Sequence, residues 1–179
     1  MKKWITLFSQ TGSEVVDLAL HFNRWPDIII TNNKKENVHP LIRDRVTHYV
    51  TTTEAKTLDI LNKAATAIDL VTLHGWLRIV SEDICNKFNI YNGHPGLITE
   101  YPDLKGKDPQ QRFFDNREGY TQYGSVVHKV VAEVDSGEVV AVCARDNNIE
   151  DIDQCFDNLR TTSSNAWIDF LRNNRIIKL

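Results

Sequence analysis

Long apolar runs are missing from this 179-residue sequence: no segment approaches the length of a bilayer span, and residues 1–15 lack the hydrophobic stretch of a secretory signal. The expected setting is the cytoplasm, with no membrane partner. Cysteine is scarce, and Cys85, Cys143 and Cys155 are odd in number, far apart and without a CxxC pair. That argues against a disulfide framework and against a thiolate metal site, leaving buried, inert thiols. Basic residues do not cluster and the net charge is only -3, so the electrostatic footprint of a nucleic-acid binder is absent. His21, His39 and His48 show no metal-ligand spacing, and no metal is expected. Repeats and low-complexity tracts are also absent, which leaves one domain over residues 1–179, large enough for a full core. The sequence is 41% apolar and 25% charged, the balance of a soluble globular protein. A small soluble substrate is the first guess.

The order of elements predicts an α/β fold. WITLF (Trp4–Phe8) is a short apolar run closed by Ser9-Gln10-Thr11-Gly12. From Ser13, expected as an N-cap, Val15, Val16, Leu18, Ala19 and Phe22 recur at helical spacing until Trp25-Pro26. Asp27–Thr31 and Ile68–Leu73 are β-branched, buried-strand runs, with a helix over Glu54–Ala65 between them. A helix at Ser81–Phe88 leads to a strand at Asn89–Tyr91. This βαβ order predicts a Rossmann-like open, mainly parallel sheet with helices on both faces. Tyr123–Val134 and Glu138–Cys143 then alternate as antiparallel strands, joined by Asp135-Ser136-Gly137 as a hairpin with Gly at positive φ. A C-terminal helical segment is expected over about 149–179, with Phe156, Leu159, Trp167 and Phe170 turned inward.

Ligands in such sheets bind at the carboxyl ends of the strands, which selects Ser9–Ser13, His74–Arg78 and Asn92–Gly96. In the last of these, Asn92 and His94 are two apart, so on extended backbone their side chains leave one face. An amide donor beside an imidazole suits a carbonyl oxygen that gains negative charge. By itself the pair reads rather as a strand end whose Asn and His satisfy loop carbonyls, and Asp135 by itself is ordinary turn chemistry.

The ordered set is more specific than its pieces. Leu73-His74-Gly75-Trp76-Leu77-Arg78-Ile79-Val80, Asn92-Gly93-His94-Pro95-Gly96-Leu97, Gly124-Ser125-Val126-Val127-His128 and Asp135-Ser136-Gly137 follow one another. From about Trp4 to Val140 the chain resembles the folate-dependent formyltransferase family, whose members act on phosphoribosylglycinamide, methionyl-tRNA and nucleotide sugars. The resemblance implies a formyltransferase with 10-formyltetrahydrofolate as cosubstrate and Asn92, His94 and Asp135 as the catalytic set. It places the folate against Leu77, Arg78, Ile79, Val80 and Asp135. In that reading Asn92 and a protonated His94 stabilise an oxyanion, while Asp135 orients His94, relays a proton and keeps the imidazole charged. His128 is expected as a satisfied core histidine, with a supporting contact near Asp135 as the second reading. His74 stands where the family has a small residue and is expected to be structural, with a substrate role left open by its place at a strand's carboxyl end.

The acceptor side departs from the pattern. Where the glycinamide ribonucleotide enzymes carry a Gly-Asn-Gly-Ser-Asn phosphate loop, this chain has Gln10-Thr11-Gly12-Ser13-Glu14, and Thr99 replaces a proline. Gly12, Ser13, Glu14, Lys105 and Lys107 are the candidate acceptor contacts, with Asp108 expected to cap the helix opened by Pro109. The implied partners are a reduced folate and a small amine, and a homodimer is compatible with the reading. A small-molecule amine is the leading acceptor class, with an amino sugar nucleotide as one example. Glycinamide ribonucleotide of purine synthesis is the alternative, and a non-catalytic folate-binding module is the reading from another class.

Overall fold

A computed structural model describes residues 2–64 and 68–174. In chain order the elements are β1 (Trp4–Phe8), α1 (Ser13–His21), β2 (Ile28–Thr31), α2 (Pro40–Arg43), β3 (His48–Tyr49), α3 (Thr52–Thr57) and α4 (Asp59–Ala64). There follow β4 (Leu70–His74), α5 (Glu82–Lys87), β5 (Ile90–His94), α6 (Pro109–Asp115), β6 (Gln122–Lys129), β7 (Val139–Asp146) and α7 (Ile152–Asn173). Among the described residues the strands form one sheet of order β3-β2-β1-β4-β5-β6-β7. The first five in that order run parallel, while β6 and β7 are antiparallel. This is the expected α/β architecture.

Parallel strands covered on both faces have no use for polar alternation, and β1 and β4 are buried throughout. One face of the sheet carries Ile5, Leu7, Val71, Leu73 and Ile90 against Leu58, Leu61 and Ile84. The other carries Trp4, Leu70 and Val127 against Leu18 of α1 and Ala166, Trp167 and Phe170 of α7. Each large side chain so buried contributes roughly 1.5–3 kcal/mol. The chain builds outward from β1 to β3 and then returns to place β4 on β1's other side. The switch point of the sheet therefore lies between the carboxyl ends of β1 and β4, where Phe8 pairs with His74.

Several local expectations are corrected. Ser13 is the first residue of α1 rather than its cap. Gly12 takes the cap position at φ 79, where a Cβ would also meet the Phe8 ring. The helix expected over Glu54–Ala65 breaks at Leu58, which is buried and left-handed (φ 49), and Ala65 lies outside the described residues. The strand expected to reach Val134 stops at Lys129, so residues 130–138 form a long loop instead of a tight hairpin. The positive φ in that loop belongs to Asp135 (φ 50), not Gly137. Gly137 is needed for another reason: a Cβ there would collide with the Lys129 carbonyl. Asp108 precedes α6 with φ 52 and makes no side-chain cap. On α7 the buried stripe runs through Cys155, Leu159, Thr162, Ala166 and Phe170, leaving Phe156 at its rim and exposed.

The three cysteines are buried and unpaired, and burial pushes the Cys155 thiol up to about 11. Among the described residues no helix is long and apolar enough to cross a membrane.

Candidate active site

β5 delivers Asn92 and His94 to one side of the sheet, and β6 sets His128 directly across from Asn92. A register shift between Val127 and His128, where β7 carries the extra residue Val140, adds a bulge beside them. Asp135 comes from the 130–138 loop. Its left-handed backbone, which Asp tolerates better than most residues, accompanies a carboxylate that bridges two imidazoles. Oδ2 lies 3.3 Å from His94 Nδ1, and Oδ1 lies 3.3 Å from His128 Nε2. The Gly106 amide donates to Oδ2 at 2.8 Å. Asn92 Nδ2 is 3.2 Å from His128 Nε2. The structure thus brings Asn92, His94 and Asp135 together and adds His128 to them, the second of the two roles weighed for that residue.

The hydrogen bonds fix where protons sit. Carbonyl oxygens only accept, so His94 Nε2 donates to Leu104 O at 2.9 Å and His128 Nδ1 donates to Lys129 O at 3.0 Å. The remaining nitrogens, His94 Nδ1 and His128 Nε2, both face a carboxylate, which when ionised only accepts as well. A bonded arrangement needs one further proton on one imidazole. With it on His94 Nδ1, that ring donates to Asp135, and His128 Nε2 is free to accept from the Asn92 amide. With it on His128 Nε2 instead, that ring donates to Asp135 Oδ1, so one proton is shared by a coupled set.

Burial and charge compete over that proton. Burial drives the His94 pKa down, and it outweighs the Asp135 carboxylate and the Leu104 carbonyl, which favour the charged ring; the result lies below the usual 6.5. The carboxylate favours the charged ring, as expected, but burial outweighs it. For Asp135, burial alone would raise the pKa, but the His128 hydrogen bond, the His94 charge and the Gly106 amide together hold it below the ordinary value of 3.8.

The other candidates lie around this cluster. Leu77 and Ile79 stand out from the surface at 63% and 73% exposure, whereas Val80 is buried. Arg78 donates to the Leu77 carbonyl, and the Leu77 amide donates to Ser9 Oγ, tying this segment to the end of β1. Lys105 and Lys107 are exposed, and Lys107 lies 3.6 Å from Asp108. Gly12 is buried at the mouth of α1 with Ser13 beside it. Glu14 turns inward to His74 and Ser163, away from the α1 amides. Arg112 was not singled out in the sequence, yet its guanidinium clamps the carbonyls of Asp103, Leu104 and Lys105. It thereby holds the carbonyl that His94 meets. Its place one turn into the Pro109 helix was the available signal.

Comparison with known proteins gives consistent results. The family model described as formyl transferase matches residues 24–166. A phosphoribosylglycinamide formyltransferase of Dictyostelium discoideum is 34% identical over 41% of this chain and 39% of its own length. The human trifunctional purine biosynthetic protein adenosine-3 is 34% identical over 41% of this chain and 7% of its own length. The matches therefore span well under half of these relatives. Among solved structures, phosphoribosylglycinamide formyltransferase of Anaplasma phagocytophilum superposes with a TM-score of 0.79 at 19% identity, covering 96% of this chain and 85% of the other. A formyltetrahydrofolate deformylase of Pseudomonas syringae gives 0.73 at 18% identity, covering 96% and 61%. At these identities the structures speak for the fold alone.

Proposed function

Because the chain belongs to the formyl transferase family, we propose that it moves the formyl group of 10-formyltetrahydrofolate onto the amine of a small acceptor. The observation that carries this is the Asp135 carboxylate bridging His94 and His128, with the Asn92 amide alongside. In the reaction the amine nitrogen bonds to the formyl carbon, and the bond from that carbon to N10 of the folate breaks. An oxyanion forms transiently, and one proton must travel from the attacking amine to N10. Asn92 has two amide hydrogens. One goes to His128, and the other is available to the oxyanion.

His94 has both nitrogens committed, to Leu104 and to Asp135, so it acts by orienting Asp135 rather than by a hydrogen bond to the oxygen. Asp135 takes the proton from the amine and passes it on. The folate fits the Leu77–Val80 segment, where exposed Leu77 and Ile79 offer apolar contact and the irregular backbone offers hydrogen bonds. Glycinamide ribonucleotide is the acceptor suggested by the relatives' names, and an amino sugar nucleotide is the other acceptor consistent with the family.

Titration calorimetry with a stable 10-formyl folate analogue is expected to give saturable heat; folded protein without heat would sink the enzyme reading. A subtler check is Gly137→Ala. The new Cβ meets the Lys129 carbonyl and must displace the loop two residues from Asp135. A misplacement near 1 Å costs about 10²-fold in turnover, so kcat is expected to fall on that scale while the folate analogue still binds. Unchanged kcat would show that the loop holds Asp135 loosely.

A further inference from the structure

At the switch point of the sheet, where a ligand crevice is expected, this protein has a side-chain plug. His74 ends β4, is buried on the α1/α7 face, and lies beside Gly93 of β5 through the Leu73–Asn92 register. Its Nδ1 meets Glu14 Oε2 at 2.7 Å, and its Nε2 meets Thr72 Oγ1 at 3.0 Å. Trp4 Nε1 donates to the same hydroxyl at 2.9 Å, and Ser163 Oγ of α7 donates to Glu14 Oε1 at 2.6 Å. Trp167 packs its ring 4.6 Å from the imidazole and fills the space that the missing Gly93 side chain leaves.

Carboxylate, imidazole and hydroxyl in this order resemble a nucleophile triad, but Thr72 is fully buried within the sheet. No substrate reaches it, so the cluster is not a second catalytic centre. With the proton on Nδ1, the hydrogen bonds run one way, from the Trp4 N–H through Thr72 and His74 to Glu14. Glu14 is the terminus of that chain, with 18% of its side chain exposed. Each of its oxygens accepts one internal hydrogen bond and keeps a second lone pair. The carboxylate is held beside the end of β4, next to the strand that bears Asn92 and His94 but on the other face of the sheet.

We propose that Glu14, positioned by His74 and Ser163, determines acceptor specificity: the part of the acceptor lying over the β1–β4 switch point is a hydroxyl or ammonium donor, not a phosphate. A donor gains the free lone pairs of a carboxylate that is already ordered. A phosphate there meets like charge instead. This rests on the formyl-transfer reading, and its test separates the two.

The kinetic comparison uses glycinamide ribonucleotide and its unphosphorylated ribonucleoside. The wild-type kcat/KM for the phosphorylated acceptor is expected not to exceed that for the other by as much as about tenfold, which corresponds to 1.4 kcal/mol. E14N/H74A, or Glu14→Gln if the double variant fails to fold, should shift the ratio toward phosphate by at least that factor. A wild-type preference for the phosphorylated acceptor above it, or an unmoved ratio in a folded variant, would overturn the proposal. Amide NMR of the wild type titrated with inorganic phosphate decides the matter even if neither acceptor turns over. No saturable shifts at Gly12, Ser13 and Glu14 are expected, and saturation tighter than about 1 mM would refute the assignment. Absence of heat with the folate analogue would instead remove the formyl-transfer reading and leave the phosphate result standing.

Discussion

Asp135→Asn is expected to lower turnover by roughly two to four orders of magnitude, the range for a positioned acid–base group, in a protein that still folds and binds the folate analogue. Asn matches Asp in shape, and its oxygen still accepts from Gly106. What disappears is the charge that faces two imidazoles at 3.3 Å each and the ability to take a proton. Losing hydrogen bonds to a charged group costs about 1.5–3 kcal/mol of stability, so urea unfolding should show a smaller effect than the kinetics. His94→Ala should be similarly damaging, and the double variant little worse than either single one, because groups that share one proton act as a unit. Additive losses in the double variant would show that the two residues work independently and would end the relay.

The same groups set a pH dependence of stability. His94 has a folded pKa below 6.5, so the unfolded chain binds more protons and stability falls once pH drops below about 6.5. Asp135 has a folded pKa below 3.8; its contribution is complete above that value and is lost as pH falls through the folded pKa. Both push the same way, and the protein should lose stability on the acid side in two stages.

Trp167→Ala should cost about 3–5 kcal/mol, the usual toll for truncating a buried aromatic. The side chain is wholly buried among Trp4, Leu18 and Phe170 and supports Gly93 from beneath. Trp167→Phe provides the control. The indole Nε1 has no hydrogen-bond partner, so a smaller ring forfeits packing but no hydrogen bond and should cost clearly less than Ala. Denaturant midpoints with an unchanged m-value would measure both. If Phe proved as harmful as Ala, the indole N–H would have to be bonded.

What the sequence revealed and what it hid follow from the range of the interactions. β1, β2 and β4 were legible because a buried parallel strand announces itself in consecutive β-branched and aliphatic residues. Asn92 and His94 were legible as a same-face pair because that geometry is local to one strand, but only the ordered set of motifs singled them out. Asp135 was legible as a residue but not as a structure. Val130–Val134 alternates like a strand, while the bridge to two imidazoles requires the chain to leave the sheet. The buried, left-handed break at Leu58 was invisible because Leu has no preference for that conformation. The Glu14–His74 contact spans sixty residues of sequence. No periodicity encodes it, and neither residue alone distinguishes a buried pair from a solvated surface.

The two borders of the sheet differ in a way that bears on how the protein fails rather than how it works. β3 closes one side with only two residues, too short to template another chain. β7 leaves the other side open over eight, and Val140 and Val142 are exposed along it. Unsatisfied amides and carbonyls along a long apolar margin invite strand addition. Self-association during refolding therefore has a preferred direction, beginning at β7 and growing outward.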